Sequence, residues 1–337
     1  MNLKLAGLSS ALFALIAAML SSHLTPSAKL QTRADFQRPK DIPYPNRNPY
    51  AEKKAALGRA LFFDPLLSRT GNVACATCHN PSRAWTDGLP RAVGVAGTPL
   101  PFKSPSLLNV AWTETLGWTG KFPDLEAVAF TPITGKALMD MPEDKLIERL
   151  RSMPEYLHQF SEAFEDKAVS KRNIEFALAT FERSIVSGKS PFDRWVEGEE
   201  NAIKLSAKRG FKVFVGKGQC AECHSGWAFT DGSFHDIGTA QGEDIGRGRL
   251  FPKSEKLRYA FKTPTLREIE NRAPYMHDGS VPSLEKVIEL YNRGGIDRPS
   301  RSDKIKPLSL TVEEKQDLLE FLQSLTDLLP EKRPSLN

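Results

Sequence analysis

The feature that most constrains this chain is a five-residue signature that occurs twice, as Cys75-Ala-Thr-Cys-His79 and as Cys220-Ala-Glu-Cys-His224. Between them the two copies use all four cysteines of the 337 residues. Each copy sits in a longer echo. Gly58-Arg-Ala-Leu-Phe62 precedes the first and Trp85-Thr-Asp-Gly88 follows it. Gly210-Phe-Lys-Val-Phe214 precedes the second and Phe229-Thr-Asp-Gly232 follows it. Solenoid repeats recur every 20–50 residues or so. A recurrence spaced from His79 to His224 is therefore read as two homologous domains, which the chain is long enough to hold.

CxxCH is a signature for covalent attachment of c-type haem. Two thiols separated by two residues add across the vinyl groups on one porphyrin edge, and the following His sits beneath the iron as proximal ligand. The alternatives are a zinc half-site or a redox CxxC pair. Zinc needs two further Cys or His ligands at fitting spacing, and no cysteine is left to supply them. The sequence thus predicts two covalently bound haem c groups. Cys75, Cys78 and His79 hold haem one; Cys220, Cys223 and His224 hold haem two.

Covalent haem attachment fits the first 28 residues. Met1–Lys4 is a short basic start, Leu5–Leu20 is apolar, and Ser21–Ala28 is small and polar, with cleavage expected after Ser22 or Ala28. That pattern reads as a secretory signal peptide, which places the mature protein in the periplasm. No apolar run of about 20 residues follows to cross a membrane. The net charge of +5 includes no Lys/Arg run, so nucleic acid is not an expected partner.

Apolar residues at helical spacing predict helices over 144–150, 173–185, 206–215, 283–291 and 312–325. Ser283 reads as an N-cap, Gly294-Gly295 as a stop, and Thr311 with Glu314 as a capping box. No sustained period-two run argues for strands, and Pro39–Pro49 and Thr98–Pro105 read as loops. The expected fold is mostly α, with residues 29–195 and 196–337 as two cytochrome c-like domains, each wrapping one haem. Their boundary falls near Gly188–Glu200.

What such a protein does depends on the other face of each iron, where Met, Tyr, His or an open position sets different chemistry. Here several segments resemble the bacterial dihaem cytochrome c peroxidase/MauG family. They are residues 60–68 (ALFFDPLLS), 104–109 (SPSLLN), 229–238 (FTDGSFHDIG), 261–267 (FKTPTLR) and 273–280 (APYMHDGS). The resemblance runs from about Pro49 to Leu325. In the peroxidase branch a Met from the following helix ligates haem two. The matching position here is Tyr291, the mark of the MauG-like branch, and Leu284, Val287, Ile288 and Tyr291 share one helix face. Met276 is the alternative ligand, and a vacant site is the third possibility.

The resemblance also implies that haem one is open, because no His lies between His79 and His158 to block it. Trp118 matches the family's inter-haem tryptophan, and Pro132 matches a proline on the peroxide face of haem one. The Gln and Glu expected to flank that proline are replaced by Val128 and Leu138, with Glu126, Asp140 or Glu143 as stand-ins if the loop shifts. Asn109, Arg272 and Pro274 match positions around an inter-domain Ca²⁺, so one calcium ion is a candidate second cofactor. His235 and His277 read as buried hydrogen-bonding residues near haem two, and His158 as surface.

The function implied is a MauG-like oxidoreductase. It takes hydrogen peroxide at haem one, stores oxidising equivalents on both haems and oxidises Trp or Tyr residues of a periplasmic protein substrate. Peroxide detoxification fed by a small electron-donor protein, a cytochrome c or cupredoxin, is the alternative enzyme. A non-enzymatic dihaem electron carrier is the third reading.

Overall fold

The computed structural model describes residues 31–327. The expected signal segment, residues 1–28, lies outside the described residues. Helices dominate: α1 (Glu52–Phe63), α2 (Leu125–Thr134), α3 (Glu143–Arg151), α4 (Pro154–Ala163), α5 (Lys171–Arg183), α6 (Pro191–Val196), α7 (Leu205–Val215), α8 (Leu284–Arg293) and α9 (Val312–Gln323). The strands among the described residues are β1 (Phe234–His235) and β2 (Phe261–Lys262), antiparallel, with His235 opposite Phe261. No helix among the described residues is long and apolar enough to cross a membrane.

The five helices expected from periodicity form within two residues of their expected ends. Ser283 caps α8 by accepting from Lys286 N, Gly294 ends it at φ 85°, and the Thr311–Glu314 box starts α9. Three of the four helices that periodicity missed have physical reasons. α1 places Leu57, Gly58, Leu61 and Phe62 in the core but also buries Lys54, so its apolar face is interrupted. α2 carries Pro132 inside it. α6, six residues long, lies within the stretch read as a connection, where Phe192 and Trp195 are buried.

The repeated glycine–aromatic motif has a structural counterpart. A Cβ on Gly58 would lie 1.9 Å from the carbonyl oxygen of Ala177 and 2.9 Å from Phe181 Cβ. A Cβ on Gly210 would lie 1.9 Å from the carbonyl oxygen of Asp317 and 2.8 Å from Phe321 Cβ. In each case the helix before CxxCH crosses a later helix (α1 on α5, α7 on α9) at a contact only glycine admits. These are the two most extensive helix–helix contacts in the fold.

Two hydrophobic cores form around those crossings. One contains Leu61, Phe62, Trp85, Ile133, Leu178 and Phe181, with Cys75 packed against it. The other contains Phe192, Phe211, Phe214, Phe229, Ile288 and Phe321, with Cys220 packed against it. Phe36, from the beginning of the described chain, is fully buried in this second core, its ring 4.9 Å from Phe229 and 5.5 Å from Phe211.

Candidate functional site

Each CxxCH forms a single tight turn, with the His backbone N–H donating to the first Cys carbonyl at 2.9 Å in both copies. The conserved order of the repeat then fixes the imidazoles. His79 Nδ1 lies 3.3 Å from the carbonyl oxygen of Trp85, and His224 Nδ1 lies 2.9 Å from that of Phe229. Trp85 and Phe229 open the two aromatic-Thr-Asp-Gly stretches, and both adopt left-handed backbone, φ 60° and 52°. A carbonyl facing Nδ1 makes that nitrogen the donor and leaves Nε2 as the basic atom for a metal. Burial pushes both imidazoles below their ordinary range, towards the neutral ligating form.

The thiols are free of disulfides. Burial pushes the Cys75 thiol well above its ordinary range, Cys78 up to about 11 and Cys220 up to about 12. Thiols held protonated disfavour zinc binding, which requires thiolate. One group of metal-ligating atoms does converge: those of Cys223, Asp231 and His235 lie within 4.8 Å of one another. His235 Nε2 is 2.7 Å from Asp231 Oδ2, a contact that, with Cys223, raises the imidazole to about 9. A thioether at Cys223 takes that sulfur out of the group and leaves a His–Asp pair, the hydrogen-bonding role expected for His235.

A cavity with about 1380 Å³ of empty space, part of it continuous with solvent, opens over the second CxxCH. Cys220, Cys223 and His224 line it together with Tyr291 and Met276. The face expected on α8 is the one presented, since Leu284, Val287 and Ile288 line it too. An apolar slot above a CxxCH turn, with a second donor on its wall, fits a haem c. Tyr291 carries the most specific signal. Tyr156, Tyr259 and Tyr275 each hydrogen-bond through the hydroxyl, to Asp64 Oδ2, Gly242 O and Ile269 O. The Tyr291 hydroxyl has no such partner among the described residues, although burial, and then the neighbouring Cys220 and Cys223, push the phenol well above its ordinary range. Tyr291 is only part-buried and lines the open cavity, so its hydroxyl is left available to a group bound there. Met276 needs no partner, so its place on the same wall leaves nothing unexplained.

Trp118 and His277 also line this cavity. The indole Nε1 donates to the Lys103 carbonyl at 2.8 Å, and Lys103 N donates to the His277 carbonyl at 2.8 Å. His277 stacks on Phe261 at 3.6 Å and holds Asp244 Oδ2 at 2.6 Å, the buried hydrogen-bonding role read for it. Next to Lys103 is Ser104, whose Oγ lies 3.3 Å from His79 Nδ1 and donates to the Cys78 carbonyl at 2.7 Å. Adjacent residues therefore touch His79 of the first CxxCH and the wall of the second cavity. Sequence reading missed Lys103, which carries no motif of its own, and the role of Ser104, which entered only as the first residue of the 104–109 segment.

Around Pro132 the candidate acids divide. Glu126 receives Arg183 in a bidentate pair at 2.7 and 2.8 Å and Asn48 at 2.7 Å. Burial works against its charge, but these hydrogen bonds outweigh it and hold the carboxyl down to about 2. Glu126 is thus a structural anion. Asp140 is paired with Arg69 at 2.7 Å, and Glu143 opens α3. An unforeseen acid is Glu182, which burial pushes up to about 8 and which acts electrostatically on Cys75. Asn109 Oδ1 accepts from Ser187 N at 3.0 Å, so a protein donor already uses the oxygen read as a calcium ligand. Arg272 Nη2 donates to the Thr265 carbonyl, and Pro274 follows Ala273. His158 is exposed, as expected.

Two CxxCH turns, each with its imidazole fixed through Nδ1, define a dihaem c-type protein. Residues 52–201 match the family model described as di-haem cytochrome c peroxidase. The chain is 51% identical over 295 residues to the methylamine utilization protein MauG of Methylorubrum extorquens, covering 87% of this chain and 84% of that protein. It is 43% identical to the MauG of Methylophilus methylotrophus, covering 92% and 93%. The crystal structure of a MauG-like protein associated with microbial copper homeostasis is also similar, with a TM-score of 0.80 at 31% identity, covering 86% of this chain and 95% of that one. The chain belongs to the dihaem cytochrome c peroxidase/MauG family, and it is a dihaem oxidoreductase of that family.

Proposed function

We propose that this protein is a periplasmic MauG-like enzyme. It draws two oxidising equivalents from hydrogen peroxide, shares them between its two haems, and uses them to oxidise Trp or Tyr residues of a partner protein. Bound haem would supply the redox chemistry, with an open iron for peroxide at the first site and a tyrosine-ligated iron at the second. Cys75 and Cys78, and Cys220 and Cys223, attach the two groups. His79 and His224 are the proximal ligands, each oriented by the carbonyl of Trp85 or Phe229.

Tyr291 supplies a hard anionic oxygen, which favours a more oxidised iron and lowers the potential of the second site. Left alone its phenol, raised above the ordinary range, stays protonated, so only a cation opposite it makes the phenolate favourable. Trp118, tied to Lys103 and facing the second cavity, couples the two sites. Pro132 is the residue assigned to the peroxide face.

The observation that carries this reading is the unpartnered Tyr291 hydroxyl on the cavity wall. Its test is Tyr291→Phe: the variant should keep both haems by mass but lose the wild-type low-spin spectrum of haem two. An unchanged spectrum would make Tyr291 a packing residue. Met276 on the same wall supports a second reading. With a thioether ligand, haem two would accept electrons from a small donor protein and the enzyme would detoxify peroxide. Calcium has no part in either reading.

A further inference from the structure

The basic excess of the chain is concentrated in one loop. Residues 245–262 contain Arg247, Arg249, Lys253, Lys256, Arg258 and Lys262 against the single acid Glu255. Their surplus equals the +5 of the whole sequence, so the remainder is balanced. The loop is closed at its neck, where Arg247 N donates to the Ala260 carbonyl and Tyr259 N to the Ile245 carbonyl, both at 2.8 Å. At its outer end Leu250 and Phe251 are 41% and 45% exposed. Arg249, Lys253, Lys256 and Arg258 around them are exposed as well. The acids nearby are few, and one of them, Asp244, is held by His277. Glu243 and Glu255 remain on the surface.

The loop is also rigidly joined to the redox site. The Arg247 guanidinium lies 3.8 Å over Phe234 and 4.9 Å over Phe251, and donates to the carbonyls of Thr119 and Gly120. A Cβ on Gly120 would come 2.2 Å from the Phe234 ring, so backbone and ring are in close contact. Lys262 N donates to the Trp118 carbonyl at 2.9 Å, and Phe261 stacks on His277. The inner side of the loop is therefore the cavity wall formed by Trp118, Phe261 and His277, and its outer side is an apolar pair ringed by cations.

We propose that residues 245–262 form the docking surface for a partner protein whose contact face carries carboxylates around an apolar centre. This rests on the proposed function, for which it names the kind of partner. Complementary charge would steer the encounter, and Phe251 would be the buried anchor of the contact. Docking there sets the partner against the wall that Trp118 and His277 share with haem two.

The test uses purified dihaem protein and two probes, a fluorescently labelled acidic cupredoxin and a labelled basic cytochrome c. Binding is read by anisotropy without peroxide, and electron transfer by stopped flow after peroxide. Wild type should bind the acidic probe and lose about tenfold in association rate on going from low to high salt. Lys253→Glu/Lys256→Glu should weaken the acidic probe about tenfold and improve the basic one. Phe251→Ser should weaken acidic-probe binding while leaving its salt dependence intact. The proposal is overturned if charge reversal leaves acidic-probe binding unchanged, or if wild type prefers the basic probe. Loss of the peroxide-induced absorbance change in wild type would count against the catalytic reading alone, because binding is measured without peroxide.

Discussion

The indole nitrogen of Trp118 donates to the carbonyl oxygen of Lys103 at 2.8 Å. One residue further on, Ser104 Oγ sits 3.3 Å from His79 Nδ1. His79 of the first CxxCH is thus linked to the wall of the second cavity through two adjacent residues and two side-chain hydrogen bonds. Trp118→Phe keeps a ring but removes that bond, a net loss of about 1 kcal/mol. Haem content and melting should change little. Oxidation of a partner residue should slow at least about tenfold, as measured by single-turnover kinetics. A wild-type rate in the variant would remove Trp118 from the path.

Replacing Tyr291 with Met exchanges a hard anionic oxygen for a neutral thioether. The potential of haem two should rise by on the order of 100 mV or more, within the span of about 0.8 V that axial ligands control. Spectroelectrochemistry reads this directly. An unchanged potential would show that the side chain at 291 does not touch the iron.

Glu126 and Arg183 form a buried pair 5% and 7% exposed. Glu126→Gln leaves the guanidinium without its counter-charge and should cost about 3–5 kcal/mol. The pH dependence follows from a carboxyl held down to about 2, against an ordinary value of 4.5. A depressed acid stabilises the fold fully above its unfolded value and loses that contribution as pH falls. The gap in melting temperature between wild type and variant should therefore be full at neutral pH and narrow from about pH 4.5 towards pH 2. A gap independent of pH would contradict the ionised pair.

Much of this arrangement was legible in the sequence because covalent chemistry fixes local spacing. The two CxxCH turns, the face of α8 that carries Tyr291, and the Thr311 cap all follow from residues close together in the chain. What the repeat was for did not follow. Gly58 and Gly210 matter because each meets the backbone of a helix more than a hundred residues later, at Ala177 and Asp317. Trp85 and Phe229 matter through their carbonyls rather than their rings. Ser104, Lys103 and Glu182 gain meaning only from what the fold places beside them, and α1 and α2 were hidden by a buried lysine and an internal proline.

The two glycine crossings make a further prediction. Gly58→Ala and Gly210→Ala each drive a methyl group into a backbone carbonyl, and overpacking of this kind costs about 1–3 kcal/mol or more. Each variant should loosen the fold around the haem of its own CxxCH, which stays covalently attached, while the other site is little changed, and haem-resolved melting followed by Soret absorbance can read this. Equal loosening at both sites would show that the two cores do not act separately.

The central claim is that two haems, one open and one ligated by Tyr291, share the oxidising equivalents of a single peroxide. The most direct measurement is EPR of the all-ferric protein before and after one equivalent of hydrogen peroxide. The account predicts one high-spin and one low-spin ferric signal at the start, and the loss of both together, with no prior reduction required. Loss of the high-spin signal alone, with the low-spin signal intact beside a protein radical, would contradict it.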